Sequence, residues 1–492
     1  MDPEIPRLAR SMWKRFAIAF GLIVGLSAVA TATAALLQVK NIADALNKGN
    51  HLNLDKNTLT RAEVGAPQTI MVLGSDHRSI YGKNSRGNSD TMMLIRLDPD
   101  KAATSIMSIP RDLKVPIAYR GTVQTAKINA AYNQGGPGLS ARTVQHVLNL
   151  PGGINHVIDM DFGGFRHAVD RVGCIYTDVD RRYFNDNSGG GEPYAQINLQ
   201  AGYQKLCNYD ALAYVRFRHE DTDLVRAARQ QDFIRQAKDQ LSASKLFDDR
   251  EALAKILGAY TSTDIRGTTQ VLELIKLAVF SAGHPIREVH FRSEVGPSFV
   301  NATPADIRAN VAEFMSGEAS GGQRAPSRST PAQKAAGRRR PRGKLVAGGL
   351  EDAKSAGEEQ AIASATKAGF PFYYPGLRLQ GSTYSGEPRV YFLRDQKGRR
   401  HRAYRMVLDT GRLGEFYGIQ GLTWRDPPIL SKPTGHQTVN GRRLLLFADG
   451  NRLRFVAYST PRAVYWVSNT LVLGLTNRQM LAIAASLRPI GR

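Results

Sequence analysis

The first half of this sequence predicts an α/β fold, a sheet covered by helices on its faces, and the last quarter predicts a second α+β unit built on an antiparallel sheet. Three observations carry that reading. Short apolar runs at 69–74, 91–97 and 103–109 alternate with helical patterns at 139–148 and 165–172, as a sheet packed between helices requires. A stretch at 316–344, SGEASGGQRAPSRSTPAQKAAGRRRPRGK, holds almost nothing that could be buried and is expected to be disordered. Beyond it, short alternating segments at 388–393, 402–408, 442–447 and 452–458 are separated by Gly or Asp turns, and an amphipathic helix at 477–487 closes the chain.

Taken in order, the chain of 492 residues carries a formal net charge of +23, so an acidic partner or surface is expected. Residues 16–39 contain no charge. A helix of that length would reach roughly 36 Å, enough for a hydrocarbon core of about 30 Å. Arg7, Arg10, Lys14 and Arg15 precede it and only Lys40 directly follows, which places the N-terminus in the cytoplasm and the rest outside. A cleaved signal peptide with its site in 28–35 is the competing reading. The predicted organisation is a cytoplasmic basic tail (1–15), one transmembrane helix (16–39), a stalk (40–67), an α/β unit (68–315), a basic linker (316–368) and the α+β unit (369–492). Thr303-Pro304 reads as the cap and first position of the helix that ends the α/β unit. Cys174 and Cys207 both fall on the outer side and are expected to form a disulfide; two separate buried thiols are the alternative.

The chemistry concentrates in 211–231, ALAYVRFRHEDTDLVRAARQQ, where Arg216, Arg218, Arg226 and Arg229 flank an acidic turn. With Asp223 as N-cap of a helix from Leu224, Arg226 and Gln230 share a face. An extended 216–218 would point Arg216 and Arg218 to one side. Converging guanidiniums suit a phosphate, because each offers a fixed fork of permanently charged donors. A solvated helix with salt bridges to Asp221, Asp223 and Asp232 is the plainer alternative, and Arg229 reads as a surface partner for an acid. Asp76 follows the first apolar run and Asp90 precedes the second, so both carboxylates belong at one sheet edge, a hard oxygen pair suited to Mg²⁺.

NSDTMMLIRLDPD from Asn88, SIMSIPRDLKV, KINAAYNQGGP, FGGFRHAVDRVG, ALAYVRFRH and VRAARQQ follow one another in an order and at intervals that resemble the LytR-CpsA-Psr family, over about 69–240. The resemblance implies a three-layer α/β/α catalytic domain with a mixed central sheet. It implies a membrane-anchored phosphotransferase that moves a glycopolymer, such as a teichoic acid, from a polyprenyl-pyrophosphate carrier to a peptidoglycan hydroxyl, with pyrophosphatase as a side activity. Asp76 and Asp90 would hold Mg²⁺ (or Mn²⁺), while Arg111, Arg216, Arg218, Arg226 and Gln230 would grip the pyrophosphate. Asp76, Asp90, Arg111 and Arg218 form the catalytic set. Most members carry an arginine where this chain has Asn88, and Arg86 is the candidate replacement. A general base is not evident: Asp112 and His219 stand nearby, and His219 reads more readily as a loop residue. An apolar lipid sheath has Ile128, Leu148, Ile158, Phe162, Phe165 and Phe233 as candidates, each of which suits plain core equally.

The expected partners are the polyprenyl-pyrophosphate-linked glycopolymer, peptidoglycan and membrane lipid. No nucleic acid is expected, since the topology puts RRRPRGK outside the cytoplasm. A non-catalytic envelope protein that binds polyprenyl phosphates or anionic polymer is the alternative function. In the last unit, Tyr373, Tyr374, Tyr417, Trp424 and Trp466 are candidates for a sugar-binding face, with core packing the stronger expectation.

Overall fold

The computed structural model describes most residues of 50–75, 89–188, 195–217, 221–241, 249–266, 286–317 and 345–490, with scattered residues at 40, 44, 270, 273, 274 and 277. The expected membrane span at 16–39 and most of the basic linker lie outside the described residues. Among the described residues, no helix is long and apolar enough to cross a membrane.

The elements of the first unit are β1 (Asn50–His51), β2 (Gln68–Ser75), β3 (Ser89–Asp98), β4 (Ala103–Ser108), the hairpin β5 (Lys114–Tyr119) and β6 (Thr122–Lys127), α1 (Ala130–Leu148), β7 (His156–Asp161) and α2 (Phe162–Arg171). There follow β8 (Ile175–Val179), β9 (Tyr183–Asn185), β10 (Ile197–Leu199), β11 (Gly202–Leu206), α3 (Asn208–Arg216), α4 (Asp223–Gln240), α5 (Arg250–Tyr260), β12 (Thr261–Thr263), β13 (Ile286–Val289) and α6 (Pro304–Ser316). Seven strands make one sheet in the order β1-β12-β7-β2-β3-β4-β13. It is mixed: β2 runs parallel to β7 and antiparallel to β3, and β13 runs parallel to β4.

Alternation along the strands sends side chains to both faces, and both faces are buried. Met71, Leu73, Met92, Leu94 and Met107 pack with Leu139, Val144 and Leu148 of α1 and with Val311 and Phe314 of α6. On the other face Val72, Met93, Ile95 and Ile106 meet Ile286 and Ile234 of α4. Each such side chain removed from water contributes about 1.5–3 kcal/mol. Thr303 caps α6 in a capping box with Asp306, as the Thr-Pro pair signals.

Beside this core, β8 and β11 form an antiparallel ribbon that packs Ile175, Val179 and Leu206 against Tyr214 of α3 and Phe233 of α4. Cys174 and Cys207, at the end of this ribbon, are joined by a disulfide with Cα atoms 4.7 Å apart.

The second unit is an antiparallel sheet of eight strands, spanning Thr383–Tyr384 to Val464–Ser468, closed by the helix Asn477–Ala485. It begins earlier than residue 369: strand Leu350–Asp352 and helix Lys354–Ala368, which fall within the segment read as linker, supply Leu350, Ala361 and Ala368 to its core. Ala at these positions gives no strong amphipathic signal, so this helix was not legible in the apolar pattern. For the aromatics of this unit, core packing, the stronger expectation, holds over a sugar-binding face. Tyr374, Tyr417, Trp424 and Trp466 are all buried, Trp466 completely.

Two of those rings are buried because the units dock onto each other. Trp424, Trp466, Leu393 and Phe447 enclose Tyr176 and Tyr203 of the β8–β11 ribbon. Within that apolar contact Arg405 donates to both carboxylate oxygens of Asp178, at 3.1 and 3.3 Å, and to Ser468 Oγ at 2.9 Å. Further along α4, Arg454 donates to Asp232 at 2.5 Å, and Arg235 bridges Glu288 at 2.6 Å and Asp449 at 2.9 Å. Helix α4 is therefore held between the central sheet and the second unit.

Candidate functional site

The strand directions bring β2, β4, β7 and β13 to one edge by their C-terminal ends, with the start of β3 among them. Ser75 registers with both Ser89 and Asp161, Met93 with Ser108, and Val289 with Met107. Ligands of α/β sheets bind outside the carboxyl ends of their strands. At this edge the β2–β3 register shifts, so that Gly74 faces Thr91 and Ser75 faces Ser89, leaving Asp90 as the extra residue of a bulge. A Cβ on Gly74 would come within 3.1 Å of the Thr91 Cβ, so a larger residue there would require Thr91 to give by a few tenths of an ångström. Asp90 thus lies inside β3 rather than ahead of it. Asp76, Arg86, Asn88, Arg218 and His219 are outside the described residues, and Asp90 is described by its backbone alone.

Arg111 follows β4 at this edge. Its Nε lies 3.6 Å from a carboxylate oxygen of Asp112 and 3.6 Å from one of Asp223, while Lys127 Nζ holds Asp112 at 3.0 Å. Asp223 also pairs with Arg226 one turn along α4, so a single carboxylate stands between the two guanidiniums. Gln230, one further turn on, donates to Thr91 Oγ1 and to the Val215 carbonyl, both at 3.0 Å. The expected shared face of Arg226 and Gln230 therefore points to the bulged start of β3. The cap differs from expectation: Thr222, not Asp223, accepts from Val225 N, at 3.2 Å, which frees Asp223 for the arginines.

Arg216 is the last residue of α3, not part of an extended segment. Its guanidinium lies 3.8 Å from the centre of the Phe162 ring, at the C-terminal end of β7, a cation–π contact that keeps it at the same edge. Arg229 is also corrected. It has a carboxylate partner, Asp221, but the pair is buried rather than superficial, and the guanidinium further donates to the Tyr214 and Phe217 carbonyls at 3.1 and 2.9 Å. Asp221 accepts from Arg181 at 2.9 Å as well. This network ties Phe217, just after α3, to Asp221, just before α4.

Of the lipid-sheath candidates, Ile128 and Leu148 belong to the main core, and Phe165 meets Phe233 at 5.9 Å in the core beneath the ribbon. A small cleft of about 30 Å³ lies elsewhere, lined by Asp178, Asp232 and Glu288 of the first unit and by Arg454, Asn469 and Thr470 of the second. None of the residues expected to bind phosphate lines it. Next to it Glu288, His290 and Asp449 bring ligand atoms within 4.8 Å of one another, but Arg235 already bridges the two carboxylates and takes the place of a cation. Burial lifts the Glu288 carboxyl to about 7 against the pull of Arg235.

Sequence reasoning missed the role of Asp223 as a clamp between Arg111 and Arg226, and that of Thr91 as the partner of Gln230. The three-residue spacing of Asp223 and Arg226 was the available signal for the first. Nothing local announces the second, which joins residues 139 positions apart.

The LytR_cpsA_psr family model matches residues 30–294, more than half of the chain, and the chain belongs to that family. Among its relatives, the polyisoprenyl-teichoic acid–peptidoglycan teichoic acid transferase TagV of Bacillus subtilis (strain 168) is 30% identical over 259 residues, covering 51% of this chain and 63% of TagV. The transferase of the same kind TagU of Bacillus cereus is 34% identical over 185 residues, 36% of this chain and 55% of TagU. The chain thus spans less than two thirds of either relative. The crystal structure of B. subtilis TagV aligns with 52% of this chain and 98% of its own, at 24% identity and a TM-score of 0.41.

Proposed function

We propose that this protein is a membrane-anchored phosphotransferase that moves a glycopolymer from a polyprenyl-pyrophosphate carrier to a peptidoglycan hydroxyl on the outer side of the membrane. The observation that carries the reading is the convergence of Arg111, Arg226 and Gln230 beside the bulged Asp90, at the strand edge of a chain that belongs to this family. TagV and TagU, which are named as transferases of a polyisoprenyl-linked teichoic acid to peptidoglycan, support the same class of donor and acceptor.

In this reaction the acceptor hydroxyl oxygen forms a bond to the phosphorus that bears the glycopolymer. The phosphoanhydride bond breaks, polyprenyl phosphate leaves, and the hydroxyl proton passes to a base. Little covalent work falls to the protein, and rate comes from alignment and charge stabilisation. Arg111 and Arg226 turn from Asp223 to the phosphate oxygens, Gln230 adds a neutral donor, and Arg216 and Arg218 complete the grip. Asp223 keeps the guanidiniums together before the donor arrives, when their mutual repulsion would otherwise spread them. Asp76 directly follows β2 and Asp90 is the bulged residue after Ser89 in the paired β3, and carboxylate oxygens suit Mg²⁺ or Mn²⁺. The ion would neutralise charge on the phosphates.

The test uses residues 40–492, a short-chain polyprenyl-pyrophosphate sugar, peptidoglycan fragments and Mg²⁺, with release of polyprenyl phosphate as the readout. Metal-dependent release, with sugar appearing on the glycan and none from Asp90→Ala, is expected. Arg111→Ala should lower turnover at saturating donor by about 100-fold or more, since its charge is worth most in the transition state. Tight donor binding without release, whatever acceptor is supplied, would refute the transferase and leave a binding protein.

A further inference from the structure

A strongly basic surface lies on the second unit, in the hairpin of strands Arg389–Arg394 and Arg400–Asp409. Residues 389–402, RVYFLRDQKGRRHR, contain Arg389, Arg394, Lys397, Arg399, Arg400 and Arg402 against one acid, Asp395. One face of this hairpin is spent on the first unit: Tyr391 donates to the Tyr203 carbonyl at 2.9 Å, and Leu393 is buried with Trp424 and Trp466. The opposite face is open beyond Val390, which packs on the second unit's own core, and Arg402 reaches back to donate to the Ala368 carbonyl at 3.4 Å. There Phe392 pairs across the strands with Arg402, and Arg394 pairs with Arg400. All four are exposed, Phe392 by 53%.

Three features mark this face as more than a solvated charge run. Like charges directly opposite on a sheet are destabilising, and Arg394 and Arg400 are such a pair, with no carboxylate joined to Arg394, Arg400 or Arg402 among the described residues. The one acid of the hairpin is turned inward. Asp395 accepts from the Lys397 and Arg399 amides, both at 2.9 Å, from Arg399 Nε at 2.7 Å and from His401 at 3.1 Å, which braces the turn and neutralises none of the outer cations. The guanidinium of Arg400 lies 4.1 Å from the centre of the Phe392 ring and that of Arg402 lies 5.5 Å from it, so the ring orders the cations around it. Same-face neighbours along a strand are about 7 Å apart and cross-strand partners about 5 Å apart. A rigid grid of cations at that spacing complements a chain that repeats an anionic group every few ångström.

We propose that the outer face of the 389–402 hairpin docks a linear polyanion, bearing closely spaced phosphates or carboxylates, through Arg394, Lys397, Arg400 and Arg402 around Phe392. A membrane surface fits less well, because Arg400 covers a face of the ring that would have to enter the lipid. The docking does not depend on the transfer chemistry at the strand edge, and either reading stands or falls without the other.

The test uses the full chain in nonionic detergent, with linear polyphosphate and polygalacturonate as probes and phosphatidylglycerol vesicles as competitor. The triple variant Arg394→Gln/Arg400→Gln/Arg402→Gln is compared with Arg425→Gln/Lys432→Gln/Arg462→Gln, which removes the same charge from exposed positions elsewhere on the unit. Polyphosphate binding should weaken at least tenfold in the hairpin variant and by much less in the control. The dependence of log K on log salt should become shallower by about 2, for three lost contacts. Phe392→Ala, which keeps every charge, should weaken binding severalfold by releasing the guanidiniums. Preference for polyphosphate or polygalacturonate identifies the anionic group. Equal losses in the two triple variants would overturn the proposal, as would vesicles that bind through the hairpin more tightly than either polymer.

Discussion

Replacing Arg405 with methionine should be strongly destabilising at the contact between the two units. Arg405 and Asp178 are buried to 0% and 3% exposure, and the guanidinium supplies two of the carboxylate's partners' bonds, with Trp466 Nε1 adding one at 3.4 Å. Methionine fills much the same space but leaves Asp178 as an uncompensated buried charge, for which the loss is about 3–5 kcal/mol. That is a large fraction of a stability of about 5–15 kcal/mol. The loss should depend on pH. Burial already raises the Asp178 carboxyl above its ordinary value, while Arg405 pulls it down. Between the unfolded value, about 4, and the raised folded value, the folded state binds more protons, so stability falls as pH rises through that window. Without Arg405 the folded value climbs and the window widens, so the deficit of the variant should grow from mild acid to neutrality. Urea unfolding measures this directly, since Trp424 and Trp466, two of the three tryptophans, lie in the contact and their fluorescence reports its opening. The double variant Arg405→Met/Asp178→Leu, which removes both charges, should recover most of the loss. A deficit below about 1 kcal/mol at neutral pH, or one that does not change with pH, would refute the reasoning.

Other expectations follow from the same geometry. Glu288, lifted by burial to about 7, holds its proton in the folded state where the unfolded chain has lost it. Thermal stability should therefore decline as pH rises from about 4.3 to neutrality, and Glu288→Gln should flatten that slope. Asp161 caps α2 by accepting from Gly164 N at 2.8 Å, so Asp161→Ala should lower stability by about 1 kcal/mol and Asp161→Asn by much less, read from urea midpoints. Reduction of the Cys174–Cys207 disulfide, which closes a separation of 33 residues, should cost about 4 kcal/mol, seen as a lower melting temperature in the presence of a thiol reductant.

Much of the first unit was legible in order along the chain. Apolar runs with turn signals located β2, β3 and β4, and the Thr303-Pro304 pair located the start of α6, because strand alternation and helix caps depend on neighbours within a few residues. The motif order was enough to name the family. Arg226 and Gln230 could be placed on one face by counting residues, since the helix pitch alone sets that relation.

What the tertiary structure decided is everything that joins distant segments. Arg229 and Arg226 are three residues apart in one basic helix, yet one is locked with Asp221 inside the fold and the other meets Asp223 at the strand edge. Composition treats both as surface charges, and only packing shows that each guanidinium meets its carboxylate out of water, and at which place in the fold. Helix Lys354–Ala368 escaped notice because its buried face is made of small residues, and small residues carry little apolar signal until a sheet closes over them. The aromatics of the last unit show the same division. Their types could be read from the sequence, but Trp424 and Trp466 are core because Tyr176 and Tyr203, more than two hundred residues earlier, come to lie against them. A residue's own chemistry is local and written in the chain, whereas its burial is a property of the neighbours that folding brings to it.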